Sequence, residues 1–75
     1  MIKRHASLTS FGGNLRKARE AKKLTQEALA EIAGLDSTYI SGIERGLRNP
    51  SLLSMLRIAQ ALETTVSELG RGIDK

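Results

Sequence analysis

The segment from Leu24 to Gly46 carries the same punctuation twice, and this constrains the fold more than any other feature. Leu24 precedes Thr25, Leu29 follows, and Gly34 closes the run; Leu35 then precedes Asp36, Ile40 follows, and Gly46 closes again. Thr and Asp are N-capping residues, because their side-chain oxygens accept from amides that the first helical turn leaves unpaired. An apolar residue before the cap and another five positions later form a hydrophobic staple that sets how the chain enters the helix. Glycine past a helix end takes the positive φ that stops it. The stretch therefore predicts two short helices joined by a tight turn through Gly34, with Ala28, Leu29, Ile32 and Ala33 inward on one and Ile40, Ile43 and Leu47 on the other.

The flanks follow the same rules. A helix beginning near Thr9 or Ser10 and ending around Lys22 or Lys23 would bury Phe11, Leu15 and Ala18, with Gly12 and Gly13 weakening its first turn. Ser51 caps a fourth helix whose Leu52, Met55, Leu56, Ala59 and Leu62 keep helical spacing, and Thr65 with Glu68 makes a T-x-x-E capping box for a short fifth. Neither a β pattern nor a repeat is present. The fold class expected is all-α, a compact five-helix helix-turn-helix domain over residues 9–70, between a flexible N-terminal tail at 1–8 and a C-terminal tail at 71–75.

At 75 residues one core is near the lower limit of self-sufficiency, so a second subunit would help. The chain has no cysteine, and its lone His5, expected to be plain tail, has no partner at ligand spacing. That leaves no thiolate nucleophile, disulfide framework or metal site, and no cofactor is expected. No run is long and apolar enough for a membrane span or signal core, which predicts a soluble, cytoplasmic protein. Charge is uneven: residues 1–23 hold seven Lys and Arg against Glu20 alone, a local balance of +6, and the remainder is slightly acidic. A basic segment on a near-neutral body suits a polyanion, nucleic acid before membrane; a solvated helix face with a basic tail accounts for it equally well. An enzyme is disfavoured, because paired carboxylates, a Cys/His arrangement and a phosphate-cradling loop are all missing, Gly12-Gly13 lacking a following GK[ST].

The third helix carries the functional signal. Opposite Ile40 and Ile43 lie Ser37, Thr38, Ser41 and Gly42, a stripe of small residues where a solvated helix would carry Glu, Lys or Gln. Gly42 alone costs about 1 kcal/mol against alanine in a helix interior. A face of this kind fits the DNA major groove, where a helix must approach closely and Ser or Thr can bond base edges.

The residues that produce this pattern, "LTQEALAEIAGLDSTYISGIERGLRNPSLLSMLRIAQAL" at 24–62, resemble the XRE-type helix-turn-helix family of phage Cro and repressor proteins. With "FGGNLRKARE" before and "TTVSEL" after, the resemblance covers residues 10–69, and "TYISGIERGLRNPSL" is most similar to the small controllers of restriction-modification systems. It implies a regulator that binds double-stranded DNA as a homodimer. By that resemblance Gln26 anchors on a phosphate at the second helix's N-terminus, where amides and dipole favour an anion. Ser37 and Thr38 read bases with Ser41 and Gly42, while Tyr39, Arg45, Arg48 and Asn49 lie along the DNA backbone. Arg19 and Glu44 match an ion pair that ties the first helix to the third, a structural role.

The chain also departs from the pattern. Several relatives carry Arg or Gln where Ser37 stands, so a bidentate base contact is missing there and the operator cannot be transferred. Gly42 replaces a larger side chain of some repressors, which points to DNA shape as a contributor to selectivity. Glu63 and Thr64 stand where the family's fourth helix often ends in glycine. Dimerisation is expected through Leu62, Val66 and Leu69, with Leu53 as a second contact, and no small-molecule effector is expected in so short a chain. The competing class is a protein-interaction module, antitoxin-like or partner-regulated, for which the tails offer no added partner-binding segment.

Overall fold

The computed structural model describes residues 5–74. Five helices follow in order: α1 Ala6–Ala21, α2 Gln26–Ala33, α3 Ser37–Glu44, α4 Leu52–Ala61 and α5 Val66–Leu69, with no strand among the described residues. Thr25, Asp36, Ser51 and Thr65 cap the last four as expected, each accepting from an amide two or three residues on. The box at α5 is only half formed, because the Glu68 carboxylate turns to Arg71.

Helix α1 starts earlier than its sequence suggests. The His5 imidazole accepts from the Ser7 amide at 3.2 Å, so the histidine read as plain tail is an N-cap. Far along the chain, Ser7 Oγ donates to the Ile73 carbonyl at 2.9 Å, and Asn14 Nδ2 donates to the carbonyls of Leu69 and Arg71. The first half of α1 and residues 69–73 thus hold each other, so residues 5–8 and 71–73, expected as tail, belong to the folded domain; residues 1–4 and 75 lie outside the described part. Gly12 and Gly13 consequently sit inside α1. A β-carbon on Gly12 would lie 2.3 Å from the Ile43 carbonyl oxygen and 2.6 Å from that of Glu44, so α1 and the end of α3 pack backbone to backbone there.

Helices α1 to α4 all close with an amide reaching back five residues: Leu24 to Arg19, Leu35 to Ala30, Leu47 to Gly42 and Thr64 to Ala59. The residue before each of those amides has positive φ, and it is glycine at 34 and 46 but Lys23 and Glu63 at the other two. Gly46 is doubly required, since its β-carbon would also stand 3.0 Å from Thr9 Cα. At 63 the missing glycine is replaced by an L-residue in the same conformation, and its carboxylate pairs with Lys22 at 2.6 Å.

The core comprises Phe11, Leu15, Leu29, Ala30, Ile40, Ile43, Ile58, Ala59, Leu62 and Leu69. Four residues expected to face inward, Ile32, Leu47, Leu52 and Leu56, are exposed instead. Helix α2 is pinched between α3 and α4, which turns Ala30 inward and leaves Ile32 exposed. Leu47, beyond the turn at Gly46, is exposed as well. Helix α4 is rotated from its expected register: Ser54, Ile58 and Leu62, spaced four apart, form the buried edge, whereas Leu52, Leu53 and Leu56 are 64 %, 60 % and 43 % exposed.

Candidate nucleic-acid interface

Each functional position is set by a helix end. Asp36 begins α3 by accepting from the Thr38 amide at 2.7 Å, and that hydrogen bond, helped by the positive charge of Arg48, holds its carboxyl below the usual carboxylate range. One turn on, Thr38 is exposed, Ser37 and Ser41 are half-buried, and Ile40 and Ile43 are locked in the core. The amphipathic period thus points the small hydroxyl face outward.

Gly42 does not share that exposure. It is buried, and the cover is the side chain of Arg48. The glycine therefore has an internal cause, and the expectation that it faces bases is corrected: a residue under another side chain offers no edge to a base.

Tyr39 also works inward. Its hydroxyl donates to Ser54 Oγ at 3.1 Å and accepts from the Ser51 amide at 3.4 Å, while Ser51 Oγ donates to the same Ser54 oxygen at 3.0 Å. This network fixes the start of α4, and with it the 47–50 loop, against α3. The Arg48 guanidinium lies 5.8 Å from the centre of the Tyr39 ring, within cation–π range. Ser54 is the functional neighbour that the sequence reading missed; its signal was a polar residue in register with Ile58 and Leu62.

The expected Arg19 and Glu44 pair is present and bidentate. Arg19 Nε donates to Glu44 Oε2 at 2.6 Å and Nη2 to Oε1 at 3.0 Å, while Nη1 donates to the Leu24 carbonyl at 2.7 Å. The side chains are 12 % and 3 % exposed. The hydrogen bond with Glu44 raises the Arg19 pKa above its already high ordinary value despite burial. Gln26 Nε2 donates to Glu44 Oε1 at 3.0 Å, so the expected phosphate anchor is held by the same carboxylate. Arg45, Arg48 and Asn49 are exposed beyond the C-terminal end of α3.

The pairing residues stand differently from expectation. Leu62 and Leu69 are each 2 % exposed inside the monomer, and only Val66 of that set reaches the surface in part. Two buried leucines cannot also meet a partner without opening the core. No described helix is long and apolar enough to cross a membrane.

Two capped helices meeting at a glycine turn, the second packed on α1 and presenting a polar outer face, define a helix-turn-helix domain. The chain belongs to the helix-turn-helix family, whose HTH_3 model matches residues 15–69. It is 46 % identical over 66 residues to the control protein C.MunI from Mycoplasma sp, covering 87 % of this chain and 89 % of that one. It is 46 % identical over 56 residues to the control protein C.SmaI of Serratia marcescens, covering 75 % and 67 %. The crystal structure of the restriction-modification controller protein C.AhdI from Aeromonas hydrophila superposes with a TM-score of 0.85 at 49 % identity, covering 87 % of this chain and 98 % of that one.

Proposed function

We propose that the protein is a sequence-specific regulator of transcription that binds double-stranded DNA as a homodimer on a pseudo-palindromic operator, in the manner of a restriction-modification controller. The carrying observation is the outer face of α3: exposed Thr38 between half-buried Ser37 and Ser41, on a helix whose opposite face is fixed in the core. Thr and Ser at these positions bond base edges in the major groove, and the Thr38 methyl meets a thymine methyl. Gln26 anchors a phosphate at the N-terminus of α2, while Arg45, Arg48 and Asn49 hold the backbone beyond α3. Tyr39 contributes chiefly by fixing the 47–50 loop. The relatives named above are control proteins, which supports a regulator rather than an enzyme, at work in the cytoplasm beside its DNA.

Pairing falls to the outward stripe of α4. Leu52, Leu53 and Leu56 expose apolar surface on one helix face, and Val66 is half-buried near its far end. A two-fold dimer places two recognition helices about 34 Å apart on one side of the duplex. With no small-molecule effector, occupancy follows protein concentration.

The test is selection of duplexes from a random pool near physiological salt, followed by sequencing. A short pseudo-palindrome with half-sites about one helical turn apart is expected. Thr38→Ala should then cost about 1–3 kcal/mol on that site and relax preference at one base pair. Salt-sensitive binding without sequence enrichment would sink this reading and favour a protein partner for the same face.

A further inference from the structure

The glycine in the middle of the recognition helix has a specific neighbour. A β-carbon built on Gly42 would lie 2.6 Å from Arg48 Cγ, 3.5 Å from Nε and 3.6 Å from Cδ. The arginine's aliphatic stem therefore lies across the α3 backbone at the one residue of the helix without a side chain. From there its guanidinium reaches the Tyr39 ring, and Tyr39 is itself tied to Ser51, the cap of α4, and to Ser54 within it. A long exposed side chain in a loop would otherwise sample many rotamers, and ordering it on DNA would cost entropy. Here the stem is seated before DNA arrives.

We propose that Gly42 is a positioning residue for Arg48: its missing side chain forms a seat that lays the arginine over α3 and Tyr39, aimed along the recognition face. This rests on the reading of Arg48 as a DNA-backbone contact and gives the mid-helix glycine a purpose that close approach to a base does not. Arg48 is exposed, and its Cγ can leave the seat by rotation about the Cα–Cβ bond, so Gly42→Ala acts on the arginine rather than on the core.

The experiment compares Gly42→Ala, Arg48→Ala and the double variant by NMR of the free protein and by DNA titration across salt concentrations. In the native protein the Arg48 side-chain resonances should carry the ring-current shift of Tyr39, and Gly42→Ala should return them to random-coil positions. Either single change should weaken binding on the order of tenfold and lower the salt slope by about 1. The double variant should bind no worse than Arg48→Ala alone, and it should melt above Arg48→Ala, since alanine then replaces glycine with nothing in its way. The melting comparison holds even if Gly42→Ala alone folds poorly. Unchanged Arg48 resonances in Gly42→Ala would overturn the proposal, as would an equal further loss of affinity when Gly42→Ala is added to Arg48→Ala, because Gly42 would then meet DNA itself. Should Arg48→Ala bind with native affinity and salt slope while the Arg48 resonances of the otherwise native protein still respond to Gly42→Ala, the DNA contact falls and the seat stands.

Discussion

Glu44 is where the first three helices are tied together. Its two carboxylate oxygens serve Arg19 twice and Gln26 once, at a site where it is 3 % exposed. Deleting one member of a buried pair leaves the other charge uncompensated, at about 3–5 kcal/mol. Glu44→Ala is therefore expected to lose about that much stability in urea, and the Arg19→Met, Glu44→Ala double variant to lose less than the sum of the singles. An additive double would mean the two side chains do not act as a pair. Both the pair and its structural role were legible from the family resemblance. That Gln26 hangs on the same carboxylate was not, because residues 18 positions apart meet only through the packing of α2 on α3.

Glycines at the helix scale divide by neighbour rather than by propensity. Gly12 and Gly13 are adjacent in α1 and look alike in sequence, yet a β-carbon on Gly12 meets the backbone oxygens of Ile43 and Glu44 while one on Gly13 meets nothing within 4 Å. Gly13→Ala should thus stabilise by about 0.8–1 kcal/mol. Gly12→Ala should destabilise in spite of the same propensity gain, since backbone cannot move aside as a side chain can. Equal melting shifts for the two would show that α1 and α3 do not touch there.

The start of α3 carries a pH signature. Hydrogen bonding from Thr38 depresses the folded pKa of Asp36, so its contribution is present above the ordinary carboxyl range of the unfolded chain and is lost as pH falls through the lower folded value. Urea midpoints of the native protein and Asp36→Asn should accordingly differ near neutral pH and converge on acidification. A constant gap down to low pH would remove the charged cap from the account.

For the whole molecule the decisive contrast is between leucines that look alike in sequence. Leu69 is 2 % exposed and Leu53 60 %. Leu69→Ala is expected to cost about 2–5 kcal/mol as a core truncation. Leu53→Lys should keep the melting temperature of the dilute protein, shift sedimentation toward monomer, and weaken binding to a full palindrome more than to one half-site. A Leu53→Lys variant that still pairs would move the interface elsewhere on the surface, and a monomeric native protein would overturn the homodimer itself.

By itself the sequence determined the caps at Thr25, Asp36, Ser51 and Thr65, the glycine stops at 34 and 46, and the outward placement of Ser37, Thr38 and Ser41 on α3. All are local: a cap oxygen, a positive φ and a 3.6-residue period act within a few residues, so their cause and their signal share one stretch of chain. Tertiary structure alone decided that residues 69–73 fold back on α1, that α4 turns Ser54 inward and three leucines outward, and that Gly42 lies beneath Arg48. Each of these depends on which distant backbone or side chain arrives beside a residue. An amphipathic pattern tells a helix that it has an inside, and the neighbours that pack against it decide which residues that inside contains.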